Sequence, residues 1–173
     1  MFVGDFERSV DANGRITLPS IFRDLLNDTA CYLTRDLRGC LAVTPRADFD
    51  EQSRVIIDQV NRGELPATVK QAVGSITNSI SVDRQGRFTI DELNRKHAGV
   101  RPGGTIRMVG ALNTIEIWRE SRYSVVEDEK PAEFKPRQWD DEDDEDADRT
   151  EEQTGAVEPA TAGPAAGGGV GDE

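Results

Sequence analysis

The sequence predicts an α+β fold, mostly β, in which two similar half-motifs follow one another and form one domain. Three observations support this prediction: a ten-residue segment recurs once, each copy is followed by the same pattern of helix and paired strands, and the acidic excess lies at one end. We therefore expect a first half with a connector helix at 1–62, a second half at 63–128, and a disordered acidic tail at 129–173.

The internal repeat is the strongest signal. Residues 9–18 (SVDANGRITL) recur as residues 81–90 (SVDRQGRFTI), 72 positions later, and six of the ten positions are identical. Two of the remaining four positions are apolar in both copies. Because a repeat of this length marks a repeated structural unit, the same local structure is expected twice.

Each copy centres on a tight turn. Asn13 and Gly14 stand between alternating apolar residues, and both can adopt positive φ, so a β-hairpin is predicted there. Asp11 can accept hydrogen bonds from the turn amides or from the guanidinium of Arg15. The same arrangement recurs at 83–87. On the residues alone, each Asp–Arg pair is either an ion pair that ties off a turn or part of a binding surface.

A short helix follows each turn, at 20–26 and at 92–98. Three apolar residues should form the inward face of the first helix: Ile21, Phe22 and Leu25. The second helix has Asp91 as N-cap and Gly99 as C-terminal stop. His97 lies in that helix and is expected at the surface or in packing.

Each helix is then followed by a β-hairpin. The first is predicted at 31–44 with a four-residue turn at 36–39, which sets the facing pairs Arg35 with Cys40 and Cys31 with Thr44. The two thiols are then not opposite each other, so no disulfide is expected and both cysteines are predicted to be half-buried apolar residues. The second hairpin is predicted at 105–118 with its turn at 110–113. Its last strand alternates Ile115 and Ile117 with Glu116 and Trp118, a pattern of one packed face.

Helices are predicted between the halves and after the last strand. A connector helix should follow Pro45 and end before Gly63. Its apolar positions lie near one face: Phe49, Ile56 and Val60. A second helix should run from Pro66 to Gly74 with three residues inward: Val69, Ala72 and Val73. A terminal helix should continue to about residue 128.

The charge of the chain is unevenly distributed. Residues 1–126 hold 16 acidic and 17 basic side chains, whereas residues 127–173 hold 17 acidic and 4 basic ones. The net charge of −12 is therefore no argument against a nucleic-acid partner. Eight of the nine residues at 140–148 are carboxylates. This segment is a solvating tail, a competitor that covers a basic DNA-binding face, or a site for protein partners.

Several functional classes lack support in the sequence. No apolar stretch reaches the length of a membrane span and the first residues do not resemble a secretory signal, so a cytoplasmic protein without membrane contact is expected. One histidine and two cysteines do not make a zinc site. Because no paired nucleophile and base and no phosphate-binding glycine loop are present, we expect no enzyme, no cofactor and no small-molecule substrate.

The paired turns carry a resemblance to a known family. The duplicated D-x-x-G-R turn, the N-terminal sequence MFVG, and the sequence ITLP at 16–19 together resemble the MraZ family, and GALNTIEIW at 110–118 is similar to its second-half hairpin. The resemblance covers residues 1–128. Asn13 and Gln85 stand just before the turn glycines, and this is a departure from the pattern, because the family often has lysine at this position of the first copy. Asp91 stands where Pro19 would recur.

The resemblance implies a fold and a function. The fold is a pseudo-twofold domain of two interlocked AbrB-like swapped-hairpin halves, which assembles into homo-oligomeric rings. The function is sequence-specific binding of double-stranded DNA repeats upstream of the family's own cell-division and cell-wall gene cluster, to regulate transcription at the nucleoid. The motif falls on Asp11 with Arg15 and on Asp83 with Arg87. Four neighbours are further candidates, chiefly for phosphates: Arg8, Asn13, Arg84 and Gln85.

An AbrB-like antitoxin is the alternative function, because it too would bind DNA. The tail of such a protein would fold on a toxin partner through apolar anchors. Residues 140–173 offer only Val157 and Val170 as such anchors.

Overall fold

Strands and helices follow one another in nearly the same order in the two halves of the chain. The computed structural model describes residues 1–26, 30–131 and 133. The elements in these residues are β1 (Asp5–Ser9), β2 (Arg15–Thr17), α1 (Ser20–Leu26), β3 (Cys31–Arg35), β4 (Leu41–Pro45), α2 (Arg46–Asn61), α3 (Thr68–Ile76), β5 (Thr77–Ile80), β6 (Arg87–Thr89), α4 (Glu92–Ala98), β7 (Thr105–Ala111), β8 (Thr114–Arg119) and α5 (Glu120–Asp128). The α+β class predicted from the sequence is confirmed. Apart from Pro131 and Glu133, the predicted tail beyond Lys130 lies outside the described residues.

The sheets join strands from both halves. Six strands form one antiparallel sheet in the order β1-β7-β8-β4-β3-β5, and β2 pairs with β6 in a separate two-stranded ribbon. The hairpins β3–β4 and β7–β8 are the pairs made within one half, and the remaining pairs in the described residues link the halves. By their order in the chain, β1 corresponds to β5, β3 to β7 and β4 to β8. When each strand of the sheet is exchanged for its counterpart, the order reads the same from either end.

The predicted β-hairpin around Asn13 and Gly14 is wrong. The chain does turn tightly there, but β1 pairs with β7 and β2 pairs with β6, so the strands on either side of the turn enter different sheets. The turn chemistry fixes the local reversal of the chain. It does not fix strand partners, which are chosen by the apolar faces that must be buried.

The first hairpin has a register one residue away from the predicted one. Arg35 faces Leu41 and Cys31 faces Pro45. The difference arises because Gly39, at φ 84°, adds a bulge residue to the turn. This register directs Cys31, Leu33, Leu41 and Val43 into the core. Neither cysteine forms a disulfide and both are fully buried, which raises the pKa of the Cys31 thiol to about 11 and that of Cys40 to about 12.

The second hairpin is tighter than predicted, because its strands continue to Ala111 and Thr114 and leave a two-residue turn. Phe2 extends this end of the sheet by exchanging backbone hydrogen bonds with Leu112 of that turn. A Cβ at Gly110 would collide with the backbone of Phe2, so the N-terminal segment can lie here only against a glycine.

Phe22 is at the centre of the main core. Its fully buried ring meets the rings of Phe2 and Phe6 edge-on, at centroid distances of 5.7 and 5.2 Å. The predicted inward face of α1 is partly wrong. Phe22 and Leu26 are buried, whereas Ile21 and Leu25 are 46% and 49% exposed, because successive buried positions on α1 are four residues apart.

A smaller cluster lies on the other face of the sheet. The alternation along β8 predicts that Trp118 lies on the outward face of the strand. Trp118 is nevertheless fully buried, because Tyr123 of α5 covers it together with Cys40. The helices α2 and α3 cover the neighbouring part of this face. The ring of Phe49 in α2 packs on the ring of Tyr32 in β3, with 4.4 Å between the ring centroids. Neither helix has a fully buried side chain.

The connector helices lie close to their predicted bounds. The predicted apolar positions of α2 are half-buried: Phe49, Ile56 and Val60. In α3, Val69 and Val73 are half-buried, but Ala72 is exposed. No helix in the described residues is long and apolar enough to cross a membrane.

Replacing Phe22 by alanine should destabilise the fold by about 3–5 kcal/mol, because it leaves a cavity beneath two aromatic rings. Ile21→Ala is the matched control on the same helix and should cost less than about 1 kcal/mol, because nearly half of that side chain is already exposed. Urea unfolding followed by circular dichroism measures both. Equal losses for the two variants would contradict this account of the core.

Candidate nucleic-acid interface

The two repeat turns have the same hydrogen-bond pattern. In the first, Asp11 Oδ1 accepts from the amides of Asn13 and Arg15, both at 2.8 Å, and the Asp11 carbonyl accepts from Gly14 at 3.0 Å. In the second turn, at 83–87, the corresponding distances are 2.9, 2.9 and 2.8 Å. A carboxylate at the start of each turn therefore holds the amide of the arginine four residues later.

These hydrogen bonds favour the charged form of both carboxyls. The Arg15 amide lowers the pKa of Asp11 below its usual value of 3.8, and the Arg87 amide does the same for Asp83. The guanidinium of Arg87 also lowers the pKa of Asp11, from the neighbouring turn.

The two arginine side chains differ. The Arg87 Nε donates to Asp83 Oδ2 at 2.9 Å, so this guanidinium is held by an ion pair and is 38% exposed. Within the described part of the chain, Arg15 has no such side-chain bond to Asp11, and its side chain is exposed. The interpretation of both pairs as turn-closing ion pairs therefore fits only the second copy.

The ribbon of β2 and β6 brings the turns side by side. Ile16 pairs with Phe88 and both are buried. The flanking pairs are Arg15 with Thr89 and Thr17 with Arg87. Because side chains alternate along a strand, these four residues share the face opposite to the buried pair. Both arginines therefore lie on one outward face, diagonally across a two-stranded ribbon.

A helix from each half secures the turn of the other half. The Arg95 side chain of α4 lies over Gly14, and that of Arg23 of α1 lies over Gly86. Each glycine has φ of 76°, and a Cβ there would collide with the arginine in the first turn and crowd it in the second. Arg95 also donates to the Ile90 carbonyl.

Sequence reasoning missed Arg23 and Arg95. Their signal was available, because they are separated by the same 72 residues as Arg15 and Arg87. They lie outside the ten-residue match and were therefore overlooked.

The remaining predicted residues lie in different surroundings. Asn13, Arg84 and Gln85 are exposed at the two turns. Arg8 lies on β1, where it donates to the Glu7 carbonyl at 2.8 Å and stacks on Phe6. Its contacts are thus along its own strand rather than with a turn.

Among the described residues, no group of three or more histidine, cysteine or acidic side chains could hold a metal ion. The ring of His97 is hydrogen-bonded through Nε2 to the Asp36 carbonyl at 2.8 Å.

Comparison with known proteins identifies the family. A family model described as "MraZ protein, putative antitoxin-like" matches residues 1–70. The protein named transcriptional regulator MraZ of Pediococcus pentosaceus is 32% identical over 140 residues, which cover 78% of this chain and 92% of that protein. The chain belongs to the MraZ family. The MraZ proteins of Saccharopolyspora erythraea and Lachnoclostridium phytofermentans are 30% and 33% identical and cover 78% and 71% of this chain, and 92% and 84% of their own lengths.

The MraZ resemblance stated from the paired turns is thereby confirmed. The family model includes the first turn and α2, and the matches to the relatives are too long to stop at the first half. These relatives are named as transcriptional regulators and not as enzymes.

The lowered pKa of Asp11 and Asp83 has a consequence for stability. Because their folded pKa lies below the unfolded value of 3.8, the stabilisation is fully present above that pH and is lost as the pH falls through the lowered pKa. A double variant Asp11→Asn, Asp83→Asn should therefore lose less stability between about pH 5 and pH 2.5 than the wild type. Chemical unfolding at a series of pH values measures the difference. Asp58→Asn, on the exposed face of α2, is the control, and a wild-type acid profile for the double variant would refute the assignment.

Proposed function

We propose that this MraZ-family chain is a DNA-binding transcriptional regulator that recognises short repeated sequences upstream of its own cell-division and cell-wall gene cluster. The observation that supports this most directly is the exposed face of the β2–β6 ribbon, which presents Arg15 and Arg87 together. The regulator names of the relatives point the same way. We further propose that the protein acts in the cytoplasm, at the nucleoid, and catalyses no reaction.

A two-stranded ribbon of this kind suits the major groove of B-DNA, which admits a helix or a β-ribbon. A guanidinium can donate two hydrogen bonds to guanine O6 and N7, and such a contact contributes about 1–3 kcal/mol of discrimination. Arg15 is exposed and, among the described residues, forms no side-chain ion pair with a carboxylate. Arg87 is held by Asp83, so less side-chain entropy is lost when it binds. Both the exposed Arg15 and the ion-paired Arg87 can serve recognition, and each is positioned by the carboxylate of its own turn.

The remaining turn residues are assigned to the DNA backbone. Asn13, Arg84 and Gln85 are exposed beside the two arginines and can donate to phosphate oxygens. Arg8 is assigned a smaller share of the phosphate contacts, because its guanidinium already donates to the Glu7 carbonyl and stacks on Phe6.

We propose that the domain consists of two AbrB-like swapped-hairpin halves, 1–62 and 63–128. The sheet order, which is unchanged when each strand is exchanged for its counterpart, supports this arrangement. So does the crossing of α1 and α4, each over the turn of the other half.

Assembly into a homo-oligomeric ring is the second part of the proposal. Two arginine contacts at about 1–3 kcal/mol each fall short of the specific affinities of about 10⁻⁸ M or better that regulators reach. Several linked subunits, each bound to one DNA repeat, gain affinity through effective concentration.

An antitoxin-type function is the second candidate, because the matching family model is described as antitoxin-like. It would retain the DNA contacts and add a protein partner. The predicted partner-binding tail lies outside the described residues, and its sequence carries few apolar anchors.

DNA binding can be tested by fluorescence anisotropy on a duplex from directly upstream of the protein's own gene, with a shuffled duplex of equal length as competitor. Arg15→Ala and Arg87→Ala should each weaken specific binding by roughly 5- to 150-fold, which corresponds to about 1–3 kcal/mol. Arg62→Ala, at the exposed end of α2 and paired with Glu64, should bind like the wild type. Wild-type protein that does not prefer the upstream duplex would refute the proposed function.

A further inference from the structure

A basic groove lies beside the first turn. It has a volume of about 310 Å³ and is formed by the end of α4, the loop that follows, and the end of β8. Its charged lining side chains are Glu92, Arg95, Lys96, Arg101 and Arg119. We call it the α4 groove.

Within residues 1–26, 30–131 and 133, most of its positive charge has no acidic partner. Lys96 is paired with Glu92 at 2.6 Å, on the exposed side of the helix. In the described part of the chain, Arg95, Arg101 and Arg119 have no carboxylate partner. Three guanidinium groups around one concave surface repel each other unless an anion is bound, so the α4 groove is suited to a polyanionic ligand.

The groove wall is shaped to keep these arginines available. Gly99 ends α4 in the left-handed region at φ 65°, and the Arg119 side chain lies beside it, at a distance that would be ordinary van der Waals contact for a Cβ. The Gly99 and Val100 amides bind the Lys96 and Arg95 carbonyls. The arginines are therefore not consumed in capping the helix.

The groove adjoins the first turn through Arg95. This residue lines the groove, and the same side chain lies over Gly14, next to Arg15. A DNA backbone that passes the first turn can therefore contact Arg95 and continue into the groove. Arg119 also lines a second groove of about 440 Å³ together with Arg122, and in that groove Arg38 is already paired with Asp36 and Glu116.

In the part of the chain that the structure describes, the second turn lacks this basic surface. Arg23 of α1 corresponds to Arg95, but the next residue is Asp24 instead of Lys96. Strand β4 ends in Pro45 where β8 ends in Arg119. The third residue of α2 is Asp48, whereas that of α5 is Arg122. The repeat thus keeps the turn arginine in both halves and the flanking cations in one.

We propose that the α4 groove binds phosphate groups of the DNA backbone next to the first turn, so that each subunit is anchored on one side. This inference rests on the proposed function. It assigns Arg101 and Arg119 as phosphate contacts that position the subunit and carry no sequence information. Arg15 then contacts the bases beside the anchored strand.

The test is the salt dependence of DNA binding by the full chain. The double variant Arg101→Ala, Arg119→Ala is compared with Arg46→Ala, Arg62→Ala, which removes the same charge from two exposed arginines of the α2 region. Affinities for the upstream duplex and for the shuffled duplex are measured between about 50 and 200 mM salt. Thermal unfolding verifies that both variants are folded.

The groove variant should lower the slope of log affinity against log salt concentration by about 1–2, because each phosphate contact contributes about 0.9. Its affinity should fall by the same factor on both duplexes, whereas Arg15→Ala should reduce the preference between them. A groove variant that matches the α2 control overturns the inference while leaving the proposed function intact. A groove variant that loses the preference between duplexes also overturns it, because the groove would then contact bases. Wild-type protein without any preference overturns the proposed function itself.

Discussion

The pairing of β2 with β6 is the constraint on which the rest of the structure depends. Each strand has three residues and would not be stable by itself, so the ribbon is held by the burial of Ile16 against Phe88 beneath it. Both strands directly follow a turn, and this one contact therefore brings the two turns together although 72 residues separate them. Alternation along the strands then directs Arg15 and Arg87 outward on one face. The candidate site is a consequence of core packing.

The same constraint ties the two halves into one unit, which extends over Met1–Lys130. Neither half can form its ribbon strand alone, and each short helix covers the turn of the other half. Gly14 and Gly86 are each required for two reasons. The turn backbone there is left-handed, and the arginine of the crossing helix approaches the backbone closely. Loss of either half would therefore leave the other with an open core and an unsupported turn.

The two repeat turns have matching backbone hydrogen bonds but unequal surroundings. The hydrogen bonds of the two turns agree within 0.2 Å, yet Arg87 is paired with Asp83 while Arg15 is not paired with Asp11. Three cations near the first turn, Lys96, Arg119 and Arg122, have acidic or neutral counterparts in the first half of the chain. In our proposal this difference separates two tasks that DNA recognition requires, the contact with bases and the anchoring on phosphates. A pseudo-symmetric protein can in this way bind its site in one orientation.

The sequence by itself determined the features whose hydrogen bonds span a few residues. These include the carboxylate-held turns, the Asp91 and Gly99 caps of α4, and the alternation of helices and strands that defines the class. Only the tertiary structure decided which strands pair, that Trp118 is buried, and that Arg23 and Arg95 lie on the turns. These features depend on contacts between distant residues. The local pattern of a strand says which face is apolar, but the free energy of burying that face selects its partner among all surfaces of the chain.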